Sequence, residues 1–339
     1  MAGISLSDMV SATAAPPDGL SRWRLIAGLS FGMAAVSCGS VLVRLTQAQG
    51  VPSLEIAAWR MLLASLLLQP YAWARQRQEW RLLGRRDWAL LLLSGAFLAL
   101  HFGTWIASLA LTSVASSVVL VSMGPLFVGI GSWAFLHERP GRSLVLGLLL
   151  ALAGTVLIAW GDFGGGRSHL LGDALALAGA VGVAGYLMIG GRARRHLSLT
   201  AYITPVYSAA ALVLCAVVSA QALLAHRASA SLVAYPLPAY ALLLGLAILP
   251  QLVGHSSLNW ALKHLSATYV AVVTLSEPVG ASLLAYFVLG EPPPATAVLG
   301  GAVILCGIYI AGRGRSPAAA VIPAETREHL WTGVSADEH

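Results

Sequence analysis

Residues 115–154 read ASSVVLVSMGPLFVGIGSWAFLHERPGRSLVLGLLLALAG, and residues 268–307 read TYVAVVTLSEPVGASLLAYFVLGEPPPATAVLGGAVILCG. At a constant shift of 153 they coincide at Pro125/Pro278, Leu136/Leu289, Glu138/Glu291, Pro140/Pro293, Leu146/Leu299, Gly147/Gly300 and Gly154/Gly307. Each copy is an apolar run with a proline in its middle, an acid-proline turn, and a second apolar run carrying glycines seven residues apart. Apolar residues coincide by chance in a greasy chain, so the shared Pro, Glu and Gly positions carry the argument. They mark an internal duplication.

Composition decides the solvent in which the duplication sits. Of the 339 residues 58% are hydrophobic and 10% charged, against about 45–50% and about 25% in soluble domains. Mean hydropathy is +0.78. The apolar runs last roughly twenty residues, the length a helix rising about 1.5 Å per residue needs to cross about 30 Å of hydrocarbon. Spanning strands need only about ten alternating residues, so the runs are helices of an integral membrane protein.

The runs fall near 25–43, 54–74, 88–107, 114–136 and 142–160, then near 170–191, 201–222, 238–261, 268–289 and 296–313. The expected fold is all-α, with ten transmembrane helices in two sets of five. Residues 1–22 form a polar tail that lacks the basic segment and compact apolar core of a cleaved signal, so the first helix is expected to be retained. The first repeat occupies 23–160 and the second 161–314, and residues 315–339 form a C-terminal tail.

Arginine placement orients the spans. With the N-terminus inside, the inner segments hold Arg22, Arg24, Arg75, Arg77, Arg81, Arg85, Arg86, Arg139, Arg142, Arg192, Arg194, Arg195, Lys263, Arg313, Arg315 and Arg327, and the outer ones only Arg44, Arg167 and Arg227. Such a bias places both termini in the cytoplasm of a multi-pass protein of the cell (inner) membrane. The net charge of +6 is thus a topology signal spread over short segments, and it gives nucleic-acid binding no support. Five spans per set is an odd number, so the second set starts from the opposite face and the duplication is inverted. Inverted repeats are a common architecture of secondary transporters, where rocking one half against the other exposes a midplane site to each side in turn.

The arginine in EIAAWRMLLAS (Arg60), Pro125 with Glu138, and SEPVGASLLAYFVLGE with Glu277, Pro278 and Glu291 bring a family into view. With the five-plus-five organisation, these features resemble the EamA-type drug/metabolite transporters over nearly the whole chain, from about Arg24 to Arg313. The resemblance implies an exporter or exchanger of small metabolites such as amino acids or related compounds. It also implies a cavity lined by the first four helices of each half, with the fifth and tenth helices at the periphery.

Arg60 lies about six residues inside its span, roughly 9 Å below the outer end. A mid-span arginine costs about 2.5–3.5 kcal/mol to insert, so it faces protein or water. It either locks helices together or binds a substrate carboxylate. Glu277 sits near the middle of the ninth span before Pro278, whose missing N–H frees the carbonyl of Thr274. Burial opposes the ionised form of a carboxyl, which makes Glu277 a candidate proton carrier, and pairing with Arg60 is the structural alternative. Its repeat mate is Gly124, so the halves differ in chemistry here. His101 and His255 are candidate relays or helix-packing histidines, and Tyr186 and Gln251 are candidate cavity residues. Trp105 and Trp260 lie near span ends, where an aromatic belt accounts for them.

Glu138 and Glu291 close the fourth and ninth spans, where a carboxylate complements the N-terminus of the next helix. Gly147, Gly154 and Gly161, with Gly300, Gly307 and Gly314, put small residues on one face of helices five and ten. That face suits close packing, either within the chain or in a homodimer through the glycine faces.

Other chemistries fit poorly. GLSFG (Gly28–Gly32) matches the G-x-S-x-G nucleophile pattern, but that motif needs a strand-to-helix turn and here lies inside an apolar helix. The only lysine, Lys263, is in WALKH, which is no P-loop. No histidines pair at i, i+4, and Cys38, Cys215 and Cys306 lie singly in apolar runs, so no metal, cofactor or disulfide framework is expected. A secondary transporter of a small-molecule substrate is therefore expected. The alternative is a multi-span enzyme acting on a lipid or prenyl substrate, which should carry acidic or histidine clusters at a membrane face.

The inverted topology is testable. In a variant lacking the three native cysteines, a cysteine at Pro293 should react with an impermeant thiol reagent in intact cells. Protection until lysis would overturn the inverted arrangement.

Overall fold

A computed structural model describes residues 21–111, 117, 120–136, 141–159, 169–224, 235–289 and 295–313. The acid-proline turns bearing Glu138 and Glu291, together with Gly161, Gly314 and the tail beyond Arg313, lie outside the described residues. Among the described residues all regular structure is helical. The elements are α1 (Arg22–Ala48), α2 (Ser53–Arg75), α3 (Arg77–Arg81), α4 (Arg85–Ser108), α5 (Gly124–Leu136) and α6 (Arg142–Ala159). They are followed by α7 (His169–Ala193), α8 (Leu199–Leu224), α9 (Leu237–Ala261), α10 (Ala267–Thr274), α11 (Glu277–Leu289) and α12 (Ala295–Arg313).

Local chemistry ends and starts these helices where the sequence changes character. α1 stops at Gly50, whose φ of +83° is open to glycine and strained for other residues, and the Gly50 N–H reaches back to the Gln47 carbonyl at 2.9 Å. Pro52 then caps α2 without an N–H to leave unpaired. Asp87 accepts the Gly84 N–H at 2.9 Å to open α4, and Ser198 and Ser266 accept N–H groups of the first turns of α8 and α10.

Six helical stretches are long and apolar enough to cross a membrane: Trp23–Ala48, Arg85–Ser108, Leu170–Ala193, Leu199–Leu224, Leu237–Ala261 and Ala267–Val288. Four of the ten expected spans fall short of that standard for identifiable reasons. α2 carries Glu55, Arg60 and Gln69. The apolar parts of α6 and α12 run only over Arg142–Leu157 and Val298–Ala311. The beginning of the fourth run lies mostly outside the described residues. The outer surface is apolar, with Phe31, Trp133, Leu212, Phe287 and Leu299 all more than half exposed. A surface of that kind suits lipid and not water.

The interior is built from helix pairs. α1 packs on α9, α4 on α7, α2 on α8, α5 on α10 and α6 on α12. Renumbering by five spans turns the α1·α9 pair into α7·α4 and returns each of the other three pairs to itself. The registers are antiparallel. Gly179, Gly182 and Gly185 of α7 face Thr104, His101 and Phe97 of α4. Gly28, Gly32 and Gly39 of α1 face Trp260, Ser257 and Pro250 of α9. Ser65 and Ser208 meet at 2.7 Å between α2 and α8, and Gln76 beyond α2 reaches Thr200 at the start of α8.

The glycine faces find their partner within the chain. Gly147 faces Gly307 and Gly154 faces Gly300, so close that a Cβ on Gly154 would stand 2.6 Å from the Gly300 carbonyl oxygen. This pairing of α6 with α12 occupies the surface that a homodimer through helices five and ten required. A second difference concerns the ninth span, which is not one helix. Leu275 and Ser276 form a turn between α10 and α11, because Pro278 has no N–H to continue the ladder from Thr274. α5 likewise opens at Gly124, the repeat mate of Glu277, one residue before Pro125.

Gly154→Ala should lower stability by about 1–3 kcal/mol through overpacking, read as a lower melting temperature in detergent. Gly129→Ala, which meets nothing within 4 Å, should be neutral. Equal melting temperatures for the two variants would contradict the close α6–α12 contact.

Candidate functional site

Arg60 lies on the inward face of α2. Ile56, Arg60 and Ala64 follow one another at helical spacing, with Ala57 and Met61 beside them, and all five are buried. The two alanines leave room for a guanidinium that is only 1% exposed. Its Nε donates to Gln251 Oε1 at 2.9 Å, and its carbon stands 4.0 Å above the Phe102 ring. That combination of a neutral acceptor and an aromatic face holds a charge in an apolar interior, with no ion-pair partner in contact among the described residues.

Gln251 is presented by a distortion of α9. Residues Ala247–His255 form a π-helix around Pro250, and the Ser256 N–H reaches the Gln251 carbonyl five residues back. Single π-turns are rare and gather at functional sites. Gln251, His255 and Asn259 then form a stripe on α9, each buried. The Asn259 amide donates to the His255 carbonyl at 2.7 Å and to the Tyr186 hydroxyl. Tyr207 lies against Tyr186 and Gln251, and its hydroxyl meets Ser256 Oγ at 3.3 Å.

From α4, His101 places Nδ1 2.9 Å from the Gly179 carbonyl, which accepts, so Nδ1 carries the proton. Its ring lies parallel to Trp105 at 6.0 Å and faces Phe102 and His255 at 4.7 and 6.4 Å. Phe102 and Tyr186 in turn border His255. The result is a buried cluster of rings beside one guanidinium.

Among the described residues, four buried polar atoms here have no hydrogen-bond partner: Gln251 Nε2, His255 Nδ1, Asn259 Oδ1 and Trp105 Nε1. Each unpaired group costs about 1–3 kcal/mol, and such orphans are scarce in folded interiors. Their gathering around Arg60 leaves hydrogen-bonding capacity open at one place in the interior. Glu277 opens α11 partly exposed, with its backbone carbonyl against Ser37 of α1. It acts on Arg60 through space, while the Arg60 hydrogen bond goes to Gln251. Pairing of Glu277 with Arg60 therefore takes the form of an electrostatic interaction at a distance. A cavity of about 390 Å³ runs from Arg24 and Gly28 to Ser256, the partner of Tyr207. A second, of about 450 Å³, lies among Leu83, Leu91, Met188 and Leu197.

Five candidates read from the sequence, Arg60, His101, Tyr186, Gln251 and His255, meet in this one region, and Glu277 bears on it through its charge. Pro278 sets the break before α11, and Pro125 stands at the equivalent break. The aromatic-belt reading of Trp105 is overturned, because α7 covers it and leaves it 6% exposed against His101. Phe102, Tyr207 and Asn259 went unread. Asn259 was legible as the third member of a polar stripe at four-residue spacing in an apolar helix. Phe102 carried no signal, since one phenylalanine among many becomes a cation's seat only through the crossing of α2 and α4.

Comparison with known proteins places these residues in context. The sequence model of the EamA-like transporter family matches residues 23–160 and 170–313. An "Uncharacterized transporter" of Archaeoglobus fulgidus is 34% identical over 70 residues, which is 21% of this chain and 26% of that protein. A "Riboflavin transporter" of Rhizobium johnstonii is 28% identical over 148 residues, 41% of this chain and 45% of that protein. The matched stretches thus span less than half the length of those relatives. One solved crystal structure superposes with a TM-score of 0.70 at 20% identity, over 86% of this chain and 97% of the other, and shows likeness of fold alone.

Gln251→Leu should leave the buried Arg60 without its acceptor and cost more than the about 1–3 kcal/mol of a neutral orphan, read as lost thermal stability in detergent. Gln251→Glu keeps an acceptor and should be tolerated. Equal melting temperatures for the leucine variant and the parent would show that Arg60 does not depend on this bond.

Proposed function

The chain belongs to the EamA-like transporter family, and on that premise we propose that it is a secondary transporter exporting or exchanging small metabolites, amino acids or related compounds, by alternating access. The observation that carries this reading is the set of unpaired buried polar atoms around Arg60. They are supplied by α4 from one half and α9 from the other, so a substrate bound there touches both moving parts. The guanidinium suits a carboxylate or another anionic group, and the rings of Phe102, His101 and Tyr186 suit a substrate with a planar or apolar body. One matched relative is named a riboflavin transporter, a name compatible with such a body.

The halves are proposed to be inverted repeats of five spans each, with both termini in the cytoplasm. Antiparallel pairing supports inversion. When the fifth span of one half packs antiparallel on the fifth of the other, as α6 does on α12, equivalent helices run in opposite directions. The same holds for α2 and α8, the second span of each half. Helix breaks before Pro125 and Pro278, at matching positions, resemble the interrupted spans that transporters use near their sites. Glu277 is the proposed coupling carboxyl, since its charge acts on Arg60 and its repeat mate is glycine.

Counterflow of labelled substrate in proteoliposomes tests the reading, because exchange without an external energy source needs alternating access. Arg60→Leu should abolish counterflow at normal protein levels and Arg60→Lys should keep part of it. Glu277→Gln should keep exchange and lose stimulation by a pH gradient. Wild-type gradient-driven uptake in that variant would remove Glu277 from coupling, and absence of counterflow across a metabolite panel would remove the transport reading.

A further inference from the structure

Outside the Arg60 region, the two ends of α2 carry polar links to the other half. Beyond its C-terminus, Glu79 of α3 accepts the Ser198 N–H at 2.6 Å through Oε1 and the Ser198 hydroxyl at 2.7 Å through Oε2. Gln76 donates to Thr200 Oγ1 at 2.7 Å, and Trp80 Nε1 donates to the Ala201 carbonyl at 3.0 Å. All these partners lie at the start of α8. At the other end of α2, Tyr235 donates its hydroxyl to Glu55 Oε2. Burial first, and then the Glu55 carboxylate, raise the Tyr235 pKa above that of an ordinary tyrosine, so this group stays a donor. The 23 residues of α2 separate the two sets of links by about 35 Å at about 1.5 Å per residue. They therefore belong to opposite ends of the bundle.

The two sets are related to each other. α2 and α8 are the second spans of the two halves. Glu79 follows the end of α2 and grips the residue that caps the start of α8. Tyr235 follows α8 and grips Glu55 at the start of α2. Each link therefore joins the start of one second span to the segment after the other, with donor and acceptor roles exchanged. The Glu79 end also reaches the site. Buried Arg194 gives Nε to the Asn259 carbonyl at 3.0 Å and Nη1 to the Leu197 carbonyl, one residue before Ser198. Asn259 in turn holds Tyr186.

We propose that Glu79 and Glu55 are the gating residues of the two faces, each closing its end of the site through a carboxylate-to-hydroxyl latch between the halves. This rests on the transport reading above and deepens it. The latch at the arginine-rich end, with Gln76 and Trp80 beside Glu79, is the stronger one. It releases only when contacts in the site shift Asn259 and, through Arg194, the 197–201 segment. Breaking either latch shifts the population toward opening at that face and away from the other.

The test uses the full chain in proteoliposomes, with its native cysteines replaced and a reporter Ala64→Cys. Ala64 is fully buried one turn from Arg60 on the same face of α2. Labelling by an impermeant maleimide is read from the arginine-rich side. Glu79→Ala and Ser198→Ala should each speed labelling by about tenfold, the shift expected from losing a hydrogen bond to a charged group. Tyr235→Phe, which removes one hydroxyl, should slow it severalfold. Changes in the same direction at both ends, or none, would overturn the proposal. If Glu79→Ala does not fold, the pair Gln76→Leu and Trp80→Phe removes the neighbouring links, and an unchanged labelling rate there would equally overturn it. Counterflow on the same vesicles separates the two readings. Opposite labelling shifts without counterflow would uphold the latches and overturn transport, and counterflow with unshifted labelling would do the reverse.

Discussion

A single buried charge organises the interior. Arg60 stands where insertion of an arginine is costly, and it offsets that cost with one neutral acceptor, one aromatic face and a distant carboxylate. Each of these comes from a different helix: Gln251 from α9, Phe102 from α4 and Glu277 from α11. α2 must therefore cross between them at a fixed depth. The π-turn in α9 fits the same demand, since it carries Gln251 to the guanidinium and leaves His255 and Asn259 on the same side.

Close approach of helices supplies the frame. Where α4 meets α7, α1 meets α9 and α6 meets α12, glycines remove the side chain that would hold the backbones apart. Within lipid there is no hydrophobic gain from joining two apolar helices, so such packing and interhelical hydrogen bonds carry the association. The pairs join one half of the chain to the other, so the two halves interleave and each is held mainly by helices of the other. Polar links between the halves occur within the spans, as at Arg60–Gln251 and Ser65–Ser208, and also at the two ends of α2.

Much of the site was legible in single residues. Ionisable and amide side chains are rare in these apolar runs, so Arg60, Glu277, His101, His255 and Gln251 stood out by cost alone, and they converge. Trp105 was misread because position near a span end describes a belt residue only when the helix faces lipid there. Phe102, Tyr207 and the latch residue Ser198 are ordinary residue types for their segments, and their roles arise from what lies opposite them.

From the sequence alone came the membrane as solvent, the positions of the helical runs, the duplication and the list of costly polar groups. These are consequences of composition, periodicity and punctuation along one dimension. Tertiary structure decided which helices pair, that the glycine faces of α6 and α12 meet each other, that the ninth run breaks at Leu275–Ser276, and that Arg60 leans on Gln251 and Phe102. Those outcomes depend on the relative rotation and depth of helices distant in the chain. A hydropathy pattern sets the length of a helix, and only the neighbour across the interface sets which of its faces is used and at what height.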